Sequence, residues 1–210
     1  MVRCPRCSAS LETPLGCLAC GALLPLDGAS APDPFQVLGL ERTHRIDLEE
    51  LRRRYLRISR LTHPDFFATA GEAEKARAER ASAALNTAFA VLADEAARAD
   101  HLVGALGGPD ENAERAMPKE FLMEVLEWNE TLDAARRGDR VPPGSLDGLR
   151  RDLQARRGES LAAVAKLLDP LPERGADALR QARRALNVVR YVDRALAELE
   201  ALRLDRAEAR

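Results

Sequence analysis

Aromatic side chains are scarce in this chain: one Trp, two Tyr and five Phe, 4% of 210 residues. Sheet-rich folds and base-stacking surfaces both draw on such residues, so their shortage argues against each. Cysteine is absent after residue 20, which confines any thiol chemistry to the extreme N-terminus. No stretch approaches the roughly 20 apolar residues that a membrane span needs. The N-terminus lacks the basic-then-apolar order of a secretion signal, and these two absences predict a cytoplasmic protein. Neither sign of charge is in excess: the net charge is −2 with 31% charged residues, so composition points to no polyanionic partner and any basic patch is local. What abounds is Ala, Leu, Arg and Glu, the composition of helices.

The chain reads as four pieces. Residues 1–24 hold all the cysteines. Residues 25–32, Pro25-Leu26-Asp27-Gly28-Ala29-Ser30-Ala31-Pro32, have linker composition. Residues 33–105 form a first helical domain and 116–210 a second, with Gly104, Gly107, Gly108 and Pro109 breaking the pattern between them. In the first, Asp33 caps a short helix with Pro34 at its first position, and Gly39 ends it. Asp47 caps the next, with Glu50 placed to complete a capping-box-like pair. At about 100° per residue, Leu48, Leu51, Tyr55, Ile58 and Thr62 fall on one side and Arg53, Arg57 and Arg60 on the other. A loop from Pro64 to Gly71 leads to a third helix with the stripe Ala84, Leu85, Ala88, Phe89 and Leu92. Two antiparallel helices joined this way make a hairpin. The second domain opens at Met117-Pro118, and its first helix stops near Gly138. Pro142-Pro143-Gly144 is a turn, Ser145 caps a helix that ends by Asp169-Pro170, and the last helix runs from about Pro172 to near the end. Three helices with short connections predict an antiparallel bundle. No strand is expected outside the cysteine module, and no internal repeat.

Cys4-Pro5-Arg6-Cys7 and Cys17-Leu18-Ala19-Cys20 lie nine residues apart. Each pair can curl into a knuckle, so that four thiolates meet tetrahedrally around one zinc ion. Four thiolates fill the coordination sphere, which makes the site structural rather than catalytic. Below about 40 residues a domain usually needs such a staple. Gly21 suits a backbone with φ > 0 that lets an N–H reach a thiolate; Ser8, at the same place in the first knuckle, is a poorer fit. Four free thiols, two disulfides, or iron in the same tetrahedron are the alternatives. Without an export signal, reduced metal ligands are the better reading.

The segment from Leu51 to Asp65 puts Arg53, Arg57 and Arg60 on one face, too many like charges for i,i+4 self-support. Such a face wants an acidic partner. Pro64 drives His63 out of helical backbone and ends the helix. Asp65 then sits exposed in a turn, its carboxylate available to an arginine from elsewhere. Each feature alone is a solvated face or an ordinary helix stop, whereas their junction is specific. With Asp33-Pro34-Phe35-Gln36-Val37-Leu38-Gly39-Leu40 before it and Asn86-Thr87-Ala88-Phe89-Ala90-Val91-Leu92 after it, the stretch resembles the J-domain family, the DnaJ-type co-chaperones. The resemblance implies that the basic helix and His63-Pro64-Asp65 dock on a DnaK-type chaperone and raise its ATPase rate. The chemistry then belongs to the partner, and this chain is not an enzyme. By position, Arg52, Arg53, Arg57, His63, Pro64 and Asp65 inherit the chaperone contact and Tyr55 a packing role. Leu56 stands where many members carry a basic residue and Thr62 where many carry an aromatic. The first departure bears on docking strength, the second on packing.

In the second domain, Phe121, Val125, Trp128 and Leu132 make one stripe, enough for a bundle core. Leu122, Met123 and Leu126 make another, largely opposite, with Glu127 and Glu130 beside it. A second apolar stripe edged by carboxylates suggests a partner surface; the alternative is that the first domain covers it. On the last helix Val189, Val192, Leu196 and Leu199 form the core stripe, and Tyr191 falls off it toward the same patch. The run from Phe121 to Asp133, together with Arg190-Tyr191-Val192-Asp193, resembles the C-terminal domain of the HscB-type co-chaperones of iron–sulfur cluster assembly. That resemblance implies a surface for an IscU-type cluster scaffold, carried over to Leu122, Met123, Leu126, Glu127, Glu130 and Tyr191.

Three rivals are distinguishable. A general J-protein serving other clients keeps the His-Pro-Asp role without the scaffold. A zinc-knuckle nucleic-acid binder would place its arginines on phosphates, against the net charge and the lack of stacking residues. An enzyme using His63 and Asp65 as an acid–base pair lacks a nucleophile, a second carboxylate or a phosphate loop. The expected protein is therefore an all-α, L-shaped co-chaperone. It has a J-domain hairpin, a C-terminal three-helix bundle and an N-terminal module with a structural zinc. Its partners are a DnaK/HscA-type ATPase and an IscU-type scaffold, with no nucleic acid and no membrane.

Overall fold

The computed structural model describes residues 2–26, 31–137, 139, 142 and 144–208, with side chains up to 204. The centre of the expected linker (27–30) and the expected breaks at Gly138 and Pro143 lie outside these residues. Among them the order is α1 (Pro34–Val37), α2 (Leu48–Thr62), a 3-10 turn (Pro64–Phe67), α3 (Glu72–Ala93), α4 (Glu95–Ala105), α5 (Lys119–Arg136), α6 (Ser145–Leu168) and α7 (Asp177–Glu208). The fold is all-α, with isolated β-bridges in the cysteine module. Two compact units divide the chain, Met1–Arg98 and Ala99–Arg210. No helix among the described residues is long and apolar enough to cross a membrane.

In the first unit α1 starts as its sequence dictates. The Asp33 carboxylate accepts the N–H groups of Phe35 and Gln36, Pro34 occupies the first turn, and Phe35 and Val37 are fully buried. At α2, Asp47 likewise accepts from the N–H groups of Glu49 and Glu50. The capping box is only half formed, because the Glu50 carboxylate binds the guanidinium groups of Arg53 and Arg54 instead. Both arginines hold the Glu50 carboxyl below its usual range, Arg54 more than Arg53; a charged donor outcompetes a neutral N–H. Leu51, Ile58 and Thr62 are buried as expected, while Leu48, in the first turn, is 55% exposed. The Thr62 hydroxyl donates to the Ile58 carbonyl at 3.3 Å, which satisfies a buried polar group within the helix. Tyr55 stacks on Phe89 with centroids 4.5 Å apart. Small residues at Ala78, Ala81 and Ala88 alternate with Leu85 and Leu92 on the buried face of α3, which lets α1 and α2 approach closely.

Helix α4 goes beyond the three helices expected in the first domain. Asp94 caps it, its carboxylate accepting the N–H of Ala97 at 2.7 Å. Gly104 lies inside the helix rather than breaking it, and the break comes at Gly107, where φ is 77°. The buried Arg98 guanidinium donates to the carbonyls of His44 and Leu92, tying the start of α4 to the turn before α2 and the end of α3.

The second unit is a three-helix bundle of α5, α6 and α7, in which α6 and α7 pair along most of their length. Its core joins Phe121, Trp128 and Leu132 of α5 to Leu149 and Leu153 of α6 and Val188, Val192, Ala195 and Leu199 of α7. Phe121 meets Trp128 edge to face at 5.7 Å. Two boundaries differ from expectation. Gly144, not Ser145, takes the cap position of α6, and Ser145 is the first helical residue. Helix α7 begins at Asp177 rather than near Pro172, because Gly175 adopts φ 74°, outside helical backbone, and its N–H donates to Leu106.

Glu114 fastens the segment ahead of α5 to α7. Its carboxylate accepts from Arg184 at 3.2 Å and from the N–H of Ala116 at 3.1 Å, and its carbonyl accepts from Asn187 at 2.7 Å. The Arg184 hydrogen bond, then the Ala116 N–H, hold the Glu114 carboxyl below its usual range despite partial burial. A depressed folded-state pKa stabilises the fold above the unfolded carboxylate value of about 4.3 and loses that contribution as pH falls through the folded value. Glu114→Gln is therefore expected to lower Tm at pH 7, with the difference from wild type shrinking below about pH 4. Thermal melts from pH 3 to 7 check this.

Candidate functional site

The cysteine module is built from two copies of one knuckle, 13 residues apart (Cys4 to Cys17, Cys7 to Cys20). Ser8 donates its N–H to the Cys4 carbonyl at 2.9 Å and Gly21 donates to Cys17 at 2.9 Å. Cys4 and Cys17 donate in turn to Ala9 and Ala22, and Leu11 and Leu24 to Val2 and Leu15. The bridges Arg3–Ser10 and Gly16–Leu23 are equivalent as well. Ser8, expected to fit poorly, adopts φ 61° beside the 73° of Gly21, so both knuckles close the same way. The repeat went unread although its signal is present: Cys-x-x-Cys-x-Ala-x-Leu occurs twice, at 4–11 and 17–24.

The four Sγ atoms lie within 4.8 Å of one another, with Cys4–Cys20 at 3.7 Å and Cys7–Cys17 at 3.6 Å. Thiolates about 2.3 Å from a tetrahedral ion sit ~3.8 Å apart, so the cage fits one such ion. All four cysteines are free thiols, not disulfides. Burial pushes the Cys4 thiol up, but the N–H groups of Arg6 and Cys7, with the thiols of Cys17 and Cys20, bring it down to about 7. The N–H of Ala9 pulls Cys7 down, yet Cys20, burial, Cys17 and Cys4 together push it to about 12. Backbone N–H groups aimed at sulfur favour thiolate, while four crowded thiolates repel one another until a cation joins them.

The second cluster is the corner after α2. His63 takes extended backbone (φ −65°, ψ 125°) and Pro64 opens the 3-10 turn. The Asp65 N–H donates to His63 Nδ1 at 3.3 Å. The Asp65 side chain is 87% exposed and the His63 side chain 50% exposed, with His63 Nδ1 3.6 Å from an Asp65 carboxylate oxygen. Arg52, Arg53 and Arg57 are exposed on α2. Arg53 binds Glu50, and Arg57 binds Glu12 of the cysteine module. Arg52 and Arg60 have no ionic partner among the described residues. Arg60, on the same cationic face, Leu56, where many J-domains carry a basic residue, and Phe66 are exposed on the same helix and corner. Phe66 meets the His63 ring edge to face at 6.1 Å.

The third cluster is on α5. Leu122, Met123 and Leu126 are 48%, 64% and 58% exposed, while Phe121, Trp128 and Leu132 are buried. Glu127 and Glu130 are exposed beside them. Tyr191 sits half-buried at the edge of this stripe, packed edge to face on Phe121 at 5.6 Å, its hydroxyl donating to Asn129 at 3.3 Å. At 100° per residue Asn129 stands between the buried face and Leu122, so Tyr191 borders the patch without joining its exposed centre. Glu124, one turn from the patch, is held by Arg156, whose guanidinium also lies over the Phe121 ring.

A helical hairpin turning on an outward His-Pro-Asp after a basic helix, followed by an independent helical bundle, defines a J-domain co-chaperone. Residues 33–101 match the DnaJ domain, and residues 117–200 match the HSCB C-terminal oligomerisation domain. The Co-chaperone protein HscB homolog of Burkholderia thailandensis is 34% identical over 170 residues, covering 80% of this chain and 91% of that protein. The homolog of Shewanella loihica is 30% identical over 168 residues, covering 79% of this chain and 94% of that protein. The chain belongs to the HscB co-chaperone family. Its fold resembles the crystal structure of the human co-chaperone HscB, with TM-score 0.77 and 24% identity over 97% of this chain and 100% of that one. It also resembles the HscB of Vibrio cholerae, with TM-score 0.66 and 22% identity over 83% of this chain and 99% of that one. The 97% coverage leaves too few residues over to omit the cysteine module from the likeness to the human structure.

Titration of the reduced chain with Co2+ is expected to give thiolate-to-metal charge-transfer absorption saturating at one equivalent. Cys4→Ser with Cys17→Ser abolishes it. Absorption retained by that double variant refutes the cage.

Proposed function

We propose that this chain docks the outward His63-Pro64-Asp65 corner and its basic helix on a DnaK/HscA-type chaperone in the cytoplasm. It raises that partner's ATPase rate and delivers an IscU-type iron–sulfur scaffold to it. The observation that carries the reading is the presentation of Asp65: a carboxylate almost wholly in solvent, after a helix of exposed arginines, with no arginine upon it among the described residues. An exposed carboxylate of this kind adds little to folding and is suited to gripping another molecule. Arg52, Arg53 and Arg57 supply the cationic face, and Pro64 holds the corner open. On the second unit Leu122, Met123 and Leu126 offer apolar anchors, with Glu127, Glu130 and Tyr191 at the rim, the anatomy of a small interface. The cysteine cage holds a structural zinc: four thiolates leave no open position for chemistry.

Asp65→Asn is expected to reduce ATPase stimulation to near the unstimulated rate while the far-UV circular dichroism stays that of wild type. Full stimulation by this variant refutes the docking role. Met123→Ala with Leu126→Ala is expected to weaken scaffold binding about tenfold or more, leaving stimulation in the absence of scaffold unchanged. Binding titrations against the scaffold, set beside the ATPase assay, separate this from service to other clients, for which the wild-type chain binds no scaffold.

A further inference from the structure

Glu12 lies in the link between the two knuckles, and that link is the part of the cysteine module seated on the J-domain. Thr13 is buried, its hydroxyl donating to the Val37 carbonyl at 2.7 Å, and Leu15 is fully buried. The approach is close. A Cβ on Gly39 would stand 2.7 Å from the Glu12 carbonyl oxygen, and one on Gly16 would stand 2.9 Å from a methyl of Leu61. The backbone of Glu12 is therefore fixed beside the end of α1. From there its carboxylate binds the Arg57 guanidinium on α2, 45 positions along the chain. Arg57 belongs to the cationic face that meets the chaperone, so one of its charges is already engaged by an acid of the same protein. Both side chains are 50% exposed, which makes the bond weak and breakable rather than a lock.

We propose that Glu12 is a built-in competitor for Arg57, presented by the cysteine module, that weakens the docking of an acidic chaperone surface on α2. The inference rests on the chaperone reading above. An incoming carboxylate must displace Glu12 before it gains Arg57, so part of the pair's attraction is lost on binding. The module thereby sets the strength of the docking face without touching the tripeptide corner, whose action on the partner follows binding.

The test measures stimulation of a DnaK/HscA-type ATPase across co-chaperone concentration, using the full-length chain and the variants Glu12→Gln, Arg57→Gln, both together, and Asp65→Asn. Glu12→Gln is expected to lower the half-saturating concentration about two- to fivefold, the range of an exposed ion pair, with maximal stimulation, metal content and helical signal unchanged. Arg57→Gln raises that concentration, and Glu12→Gln has no further effect in its background. A half-saturation for Glu12→Gln equal to wild type overturns the proposal, as does the same gain in both backgrounds, which would make Glu12 a general repulsive charge. Loss of metal from Glu12→Gln also overturns it, since the carboxylate would then be structural. If Asp65→Asn stimulates like wild type, the chaperone reading itself fails, whatever Glu12→Gln does.

Discussion

Pro64 leaves α2 no way to continue. Its ring excludes helical backbone at the residue before it, and His63 accordingly takes ψ 125°. That steric exclusion ends the arginine-bearing helix, begins the 3-10 turn and points imidazole and carboxylate into solvent. The rest of the first unit holds the two flanking helices firm around this corner. Thr62 satisfies its hydroxyl within the last turn of α2, Tyr55 leans on Phe89, and the alanines of α3 bring its backbone close. A corner with few contacts of its own, the Asp65–His63 bond and the Phe66–His63 ring contact, is positioned by the packing on either side of it.

The cysteine module solves a different problem. Two dozen residues cannot bury enough apolar surface to order themselves, and few of these are buried: Cys4, Thr13, Leu15, Gly16 and Cys17. Order comes from two directions. Inside, paired knuckles aim backbone hydrogen bonds so that four sulfurs converge. Outside, Thr13 and Leu15 use the J-domain as a surrogate core. The module is thus part of the first compact unit.

Features governed by local chemistry were legible in the sequence. Asp33 and Asp47 as caps, Pro34 and Pro64 as punctuation, the cysteine spacing and the two stripes of α5 each follow from a few neighbouring residues. What escaped depends on distant chain. Helix α4 carries only a short apolar stripe, Ala99, Leu102 and Val103, and Arg98 finds its acceptors at His44 and Leu92 only after folding. The start of α7 hangs on the left-handed backbone of Gly175, and composition alone does not reveal that. The cationic row of α2 is relieved in part, Arg53 by Glu50 of the same helix and Arg57 by Glu12 of the cysteine module, the latter invisible to any helical period. Tyr191 was expected in the exposed patch. Its ring is instead drawn to Phe121, a contact set by how α7 lies on α5.

The two knuckles share one backbone path but not one degree of protection. In the second, glycine accepts the left-handed turn freely and Cys20 is half-buried, while Cys4 and Cys17 are buried alike. In the first, a serine is held at φ 61°, a conformation that a side chain resists by roughly 1–2 kcal/mol, and Cys7 stands exposed. An oxidant arriving from solvent therefore meets sulfur most readily at Cys7, next to the strained turn. The inequality of the two halves is written in one hydroxymethyl group where its twin has hydrogen.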